Sequence, residues 1–201
     1  MGKSAHTHDV IVVGGGASGM MAAGIAAESG KRVLLLEKND ALGAKLAISG
    51  GGRCNILNAE EDEHALLANY GEAAPFLYSA FAEFGLQESI AFFERIGVPI
   101  VVEARKRAFP TSQHAPTVVA ALEDYLRRGG VEVRLNTEIA RIKSEAGAIT
   151  SVVAQGFEFS AESYIFSTGG VSHPETGSTG DGFDWLTELG HTVTAPTPTI
   201  V

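Results

Sequence analysis

Residues Asp9 to Lys38 read DVIVVGGGASGMMAAGIAAESGKRVLLLEK, and the fold of the whole chain turns on this stretch. Val10 to Val13 is a run of β-branched residues too short for a helix, so it predicts a buried strand. Gly14, Gly16 and Gly19 follow at the spacing G-x-G-x-x-G. Ala17 to Ser29 is small, apolar and free of proline, which predicts a helix packed closely on a sheet, and Gly30 is placed to stop it. Val33 to Leu36 is a second buried strand with Glu37 at its end. Strand, glycines, helix, strand and terminal acid in this order form the unit that a dinucleotide site requires.

Each part has a physical role. Gly14 permits the tight turn, Gly16 lets backbone approach a pyrophosphate, and Gly19 lets the helix sit against the strand. Unpaired N–H groups and the positive end of the helix dipole then face the phosphates. Glu37 can accept hydrogen bonds from adenosine ribose hydroxyls. It suits NAD as well as a flavin dinucleotide, and it opposes the 2′-phosphate of NADP. Val10 to Ala27 has no charged residue, but five glycines interrupt it and the preceding MGKSAHTHD is not strongly basic. A membrane span or signal peptide is therefore set aside.

With 201 residues the chain has enough length for one sizeable domain rather than two. Its 45% hydrophobic content and 24 glycines suit a loop-rich α/β fold. A net charge of −9 argues against broad nucleic-acid or anionic-membrane binding. It leaves a phosphate ligand open, because helix N-termini act locally. The single cysteine excludes an intramolecular disulfide and fits a reducing compartment, so a cytoplasmic location is expected.

Lys38 to Asn58, KNDALGAKLAISGGGRCNILN, is too glycine-rich for a regular element. Gly50, Gly51 and Gly52 can curl round an anion or lie flat on a planar ring, with Lys45 and Arg53 adding positive charge. Leu46, Ile48, Cys54 and Ile56 favour an ordered cofactor loop over a solvated linker. Cys54 reads as a packing residue before a nucleophile, and no ligand spacing predicts a metal. Helices are expected over His64 to Asn69, Pro75 to Phe84 and Gln87 to Ile96. Their residues Phe76, Phe81, Phe84, Phe92 and Phe93 serve as core or as a cap over the cofactor. Val98 to Glu103 reads as a strand, Arg105-Lys106-Arg107 as a charged turn that could also steer an acidic substrate, and Phe109-Pro110 as a bend.

Pro116 to Arg128 is an amphipathic helix and Val131 to Leu135 a strand. Thr137 to Ile142, Ala148 to Ala154 and Phe157 to Phe159 alternate as a small antiparallel meander, with turns at Glu145–Gly147 and Gln155-Gly156. Ser163 to Phe166 is a short buried strand running into Thr168-Gly169-Gly170, a second glycine turn on the ligand edge of the sheet. Gly182 to Leu189 is the last helix. His173 with Asp181 could act as acid and base, but turn formation is the stronger reading, and no catalytic residue is assigned.

The order GGGASG, LLLEK, LGAKLAISGGGRCNILN, RAFPTSQHA and STGGVSHPETGSTGDGF resembles the BaiN-like or aminoacetone-oxidase family of FAD-dependent oxidoreductases, a branch of the group that includes fumarate reductase flavoproteins. The resemblance covers essentially the whole chain. It implies an α/β, Rossmann-like FAD-binding domain with a mostly parallel sheet and a small antiparallel meander. Gly14, Gly16, Ala17, Ser18 and Gly19 would hold the pyrophosphate and Glu37 the ribose. Lys38 and Lys45 would lie on the ribose–phosphate side. Ser49, Gly50, Gly51, Gly52, Arg53, Cys54 and Asn55 would line the flavin ring and ribityl chain. Ile139 would meet the adenine through its backbone, and Thr168, Gly169 and Gly170 would flank the pyrophosphate. His114 stands where relatives have lysine.

The same resemblance implies a chain about twice as long, with a domain inserted after a segment like Pro196 to Val201 and a return segment completing the FAD domain. Neither is in this sequence, so a fragment or truncated product is expected, prone to oligomerise or dependent on the missing C-terminal polypeptide. The expected function is the FAD-binding portion of a flavin-dependent oxidoreductase, with NAD(P)H as electron donor and a small-molecule substrate the residues do not identify. A non-catalytic nucleotide-binding or assembly module and a NAD-dependent dehydrogenase domain are the alternatives.

Overall fold

The computed structural model describes residues 7–197. Residues 1–6 and 198–201 lie outside the described residues, and the place expected for the inserted domain falls among the latter. In chain order the elements are β1 (His8–Val13), α1 (Ala17–Glu28), β2 (Val33–Leu36), α2 (Ala44–Ile48), β3 (Leu57–Asn58), α3 (Glu63–Ala68), α4 (Ala74–Glu83) and α5 (Leu86–Arg95). They continue as β4 (Ile100–Glu103), β5 (Arg107–Pro110), α6 (Ala115–Arg128), β6 (Glu132–Arg134), β7 (Ile139–Glu145), β8 (Ala148–Ala154), β9 (Phe157–Phe159), β10 (Ala161–Phe166) and α7 (Asp181–Glu188). The described residues form two compact units: those up to Lys45 with those from Leu122 on, and Leu46–Ala121 between them.

The first unit is the Rossmann-like part. Its sheet runs β10-β1-β2-β6, parallel throughout. Parallel strands covered on both faces read as continuous apolar runs, and Ile11, Val12, Leu34 and Leu35 are fully buried. Ile11, Val13, Leu34 and Leu36 point to one face, where Ile139, Val152, Ala154 and Ala161 complete a core edged by Phe166 and Trp185. The alternate residues face α1, whose Met20 and Ala23 are fully buried. Burying a Leu or Ile side chain contributes about 1.5–3 kcal/mol, so these two layers dominate the stability of the unit. The meander pairs β7-β8-β9 antiparallel as expected. Its turns are tight because Ala146-Gly147 and Gln155-Gly156 both take positive φ, the conformation of a type I′ hairpin turn.

Gly24 has a role the sequence did not disclose. A Cβ there would strike the Tyr125 ring, so the glycine lets α6 approach α1 through that ring.

The second unit holds α3–α5 and an antiparallel sheet ordered β3-β5-β4. This sheet corrects two expectations. Arg107–Pro110, read as a charged turn and a bend, is the central strand, with Pro110 at its last paired position opposite Ile100. A terminal position is where a residue lacking an N–H is tolerated. The glycine-rich stretch is also not without regular structure, since it forms α2 and a 3-10 turn at Ser49–Gly52. The phenylalanines divide. Phe92 is buried and meets Phe84 and Phe93 edge-on at 6.2 and 5.3 Å, whereas Phe76 is 84% exposed on a helix with no buried residue.

Candidate dinucleotide site

The site in the Rossmann-like unit is built at the carboxyl ends of β1 and β10. The Ser167 N–H donates to the Val13 carbonyl at 2.8 Å, carrying the strand pairing one residue past β10. A Cβ on Gly14 would fall against the Ser167 carbonyl, and Gly14 itself has φ +101°, so only glycine fits. The two glycine turns expected on one edge are therefore in contact. Gly19 lies on the first turn of α1, where a Cβ would overlap the Gly14 carbonyl oxygen. Both glycines are demanded by the chain's own packing.

Gly16 is different. Its φ of −76° and ψ of −172° are open to any residue, and a Cβ there would meet nothing within 4 Å. Its carbonyl accepts the first intrahelical bond from the Met20 N–H at 2.9 Å, and no side chain caps the helix. Ala17 and Ser18 are exposed on that first turn. The result is an open helix N-terminus, with donors directed outward and room beside them.

Glu37 is buried at 6% exposure at the end of β2. Its Oε2 accepts from the Gly15 N–H at 2.5 Å and its Oε1 from the Asn39 N–H at 2.8 Å. Both oxygens keep a further lone pair, so the carboxylate is fixed in place while still able to accept from a diol.

The two lysines reach the loop after β10. Lys38 Nζ donates to Asp181 Oδ2 at 2.8 Å and Thr179 Oγ1 at 2.7 Å. Lys45 Nζ donates to the Ser172 carbonyl and to Ser178 Oγ, both at 2.6 Å. The Lys38 ammonium holds the Asp181 carboxyl below its ordinary range. Gly169 stands over this cluster, since a Cβ there would lie 2.7 Å from Ser178 Oγ. Ser178, buried at 7%, and Asp181 as the partner of Lys38 were missed from the sequence. The run STGDG was the signal available for both.

The other anticipated residues have clear places in the fold. Thr168 packs under the start of α7, where its Oγ1 blocks any Cβ on Gly182. Gly170 lies beside it, next to Phe183. Ile139 is buried in the core beneath the sheet, its backbone paired with Ala154. His173 does not meet Asp181: its Nδ1 lies 2.8 Å from Glu175 Oε1, and both side chains are exposed.

In the Leu46–Ala121 unit, Gly50, Gly51 and Gly52 all have positive φ, and so does Cys54. Cys54 is fully buried, and burial pushes its thiol up, which suits packing and not nucleophilic chemistry. The Ser49 carbonyl accepts the Cys54 N–H at 3.0 Å, while Asn55 is exposed. Arg53 points away from this turn to Glu103, Gln113 and the Phe109 ring. Lys106 pairs with Glu60, so the basic turn is partly neutralised. His114 Nδ1 lies 3.4 Å from Thr117 Oγ1.

Comparison with known proteins gives a consistent picture. The family described as HI0933-like protein Rossmann domain matches residues 8–199. The chain is 31% identical over 192 residues to the 3-dehydro-bile acid delta(4,6)-reductase of Clostridium scindens, spanning 94% of this chain and 46% of that protein. It is 30% identical over 183 residues to the ribosomal RNA dihydrouridine synthase of Escherichia coli, spanning 90% and 44%. The chain thus spans less than half the length of these curated relatives. In three dimensions it is similar to the open conformation of a flavocytochrome c3 fumarate reductase. The TM-score is 0.74 at 20% identity, over 94% of this chain and 42% of that one, a likeness of fold.

Proposed function

The chain belongs to the HI0933-like protein Rossmann domain family, an FAD-binding Rossmann domain of flavoprotein oxidoreductases, and from that premise we propose that it holds FAD for reduction of a carbon–carbon double bond conjugated to a carbonyl. The observation that carries the cofactor reading is Gly16. Gly14 and Gly19 are explained by clashes within the chain, whereas Gly16 has neither a clash nor an unusual backbone to explain it. A ligand lying against the open turn would explain it, and a pyrophosphate fits the uncapped donors there.

In this reading the backbone at Gly16, Ala17, Ser18 and Gly19 binds the pyrophosphate, and Glu37 accepts the adenosine ribose hydroxyls. Gly169 and Gly170 flank the phosphates, with Thr168 positioning the turn. Lys38 and Lys45 act from the outer side, by holding the Ser172–Asp181 loop against the sheet edge. Ser49 to Asn55 are assigned to the flavin side. Bound FAD would supply hydride transfer, with NAD(P)H as the donor that recharges it. The backbone donors and carboxylate named above would bind and orient it without exchanging protons themselves.

The substrate class rests on the two relatives' names. One names a delta(4,6)-reductase of a 3-dehydro-bile acid, a 3-oxo steroid acid unsaturated at carbons 4 and 6, and the other a synthase of dihydrouridine, made by saturating a uracil ring. In both, the reduced bond is polarised by a conjugated carbonyl, which makes its far carbon a hydride acceptor. One of these relatives is named for ribosomal RNA, but the −9 balance of this chain gives no long-range attraction to a phosphate backbone. A small enone is the substrate we propose.

The test is a visible absorption spectrum of the purified protein, identification of the released cofactor, and the same for Gly16→Val. The wild-type protein should release FAD. The variant should keep its thermal transition within a few degrees and lose at least about tenfold in FAD affinity, about 1.4 kcal/mol. Unchanged FAD content in the variant would defeat the site assignment. Bound NAD without flavin would favour the dehydrogenase reading.

A further inference from the structure

The Ser49–Asn55 turn holds a left-handed backbone that suits its glycines and is disfavoured at Cys54. Gly50, Gly51 and Gly52 have φ of 57°, 66° and 83°, and Cys54, which carries a side chain, has φ 63°. A non-glycine residue held there costs about 1–3 kcal/mol and persists only where its surroundings fix it. Within Leu46–Ala121, the described non-glycine residues at positive φ are Cys54, Arg105, Lys106 and Gln113. They fall in three short segments: the glycine turn, the exit from β4, and the turn before α6.

One side chain ties those three segments together. Arg53, the single charged residue between Leu46 and Ala59, donates from Nε to Gln113 Oε1 at 2.5 Å and from Nη2 to Glu103 Oε1. Gln113 Nε2 donates to the same Glu103 oxygen at 3.4 Å. The guanidinium lies 4.0 Å from the centroid of Phe109, which is 2% exposed. The Phe109 ring also lies beside Gly50, 3.2 Å from where a Cβ would be. A planar fork with two anchors and an aromatic floor has one orientation, which a lysine could not reproduce.

We propose that Arg53, Glu103 and Gln113 form a positioning node that sets the shape of the Ser49–Asn55 turn, with Arg53 acting through the turn and not as a ligand of the cofactor. The node places the turn's backbone amides and Asn55 where they meet a bound group while Cys54 seals the turn from beneath. The shape-setting role stands on the geometry above; that the shaped turn serves FAD rests on the reading in the preceding subsection.

The sole cysteine makes the proposal measurable, because a fully buried thiol reacts with a maleimide only when the turn opens. The experiment compares Glu103→Ala, Glu103→Gln and Arg53→Lys with the wild-type protein. It measures the rate of Cys54 labelling, the shape of the visible flavin band, and the far-ultraviolet circular dichroism. Glu103→Ala and Arg53→Lys should label at least roughly tenfold faster with unchanged dichroism. Glu103→Gln keeps an acceptor oxygen and should fall between. The flavin band of the first two should change shape as the turn loosens.

Equal labelling in wild type, Glu103→Ala and Arg53→Lys would overturn the proposal. So would loss of FAD in Arg53→Lys with Cys54 still protected, which would make Arg53 a direct ligand. Collapse of the dichroism would reduce Glu103 and Arg53 to folding residues and also overturn it. If wild type releases no FAD, the cofactor reading fails, while the labelling rates still decide whether the node exists.

Discussion

Two of the chain's glycine turns, Gly14–Gly19 and Gly50–Cys54, are held in shape by opposite means. At Gly14–Gly19 the backbone does the work. A strand end, a helix start and the neighbouring Ser167 carbonyl occupy the space that side chains would need at Gly14 and Gly19, and Glu37 meets the turn only by accepting from the Gly15 N–H. At Gly50–Cys54 a Cβ on Gly51 or Gly52 would meet nothing within 4 Å, yet both residues are left-handed. There the shape is imposed by Arg53 and its partners. Glycine at the first turn answers mainly to space, and glycine at the second mainly to conformation. A motif string alone does not separate these causes.

Substitutions can break this contrast in graded steps. Gly19→Ala should have the largest effect, because its Cβ would overlap a backbone carbonyl that has nowhere to go. We expect a loss of at least about 4 kcal/mol, read by urea unfolding of Trp185 fluorescence. Trp185 reports the right unit, since it packs edge-on against Phe166 at 6.2 Å. A stable Gly19→Ala protein would show that the α1 start can shift away from β1. Gly50→Ala comes next, since its Cβ would crowd the Asn55 nitrogen at 2.6 Å and φ is positive. A loss of about 2–3 kcal/mol, with faster Cys54 labelling, is expected.

Gly51→Ala sharpens the comparison, because conformation alone opposes it. It should cost about 1–2 kcal/mol, close to the penalty for one left-handed residue, read by urea unfolding followed by far-ultraviolet circular dichroism. A cost equal to that of Gly50→Ala would mean that something unseen crowds the turn.

The smallest effect should come from Asp181→Asn, at the edge of the first turn's neighbourhood. Lys38 holds this carboxyl below its ordinary value, so its contribution is present above about pH 4 and is lost as pH falls through the lowered folded value. The pair is partly exposed, so the difference from wild type should be below about 1 kcal/mol at pH 6. It should shrink as pH falls through the lowered folded value. A difference that grew on acidification would mean that the carboxyl is not stabilised in its charged form.

Much of the Rossmann-like unit was legible because its signals are local. Four β-branched residues, three spaced glycines and an acid at a strand end each constrain the backbone next to them. The meander was legible for the same reason, its turns carrying Ala146-Gly147 and Gln155-Gly156. The small sheet was not, because Arg107–Pro110 has four residues, a proline and no alternation, and becomes a strand only through partners at Leu57 and Ile100. Phe76 was misjudged because hydrophobic content says nothing about whether a face is covered. Among residues of the candidate site, Gly14, Gly16, Gly19 and Glu37 were legible from spacing. Ser178 and the Lys38–Asp181 pair did not, because they join positions more than 130 residues apart in sequence.

The same distance has a consequence for how the protein comes into being. β1 is completed on one side by β10, with His8 opposite Ala161, so its hydrogen-bonding edge is open until the chain has been made nearly to its described end. At roughly 5–20 residues per second, a ribosome leaves that strand waiting about 8–30 seconds for its neighbour. Val10 to Val13 is then an uncharged apolar strand with one open edge in a nascent chain, the kind that pairs with copies of itself. The helix that follows it directly can cover one face early. Synthesis speed and chaperone access therefore bear on the yield of this protein.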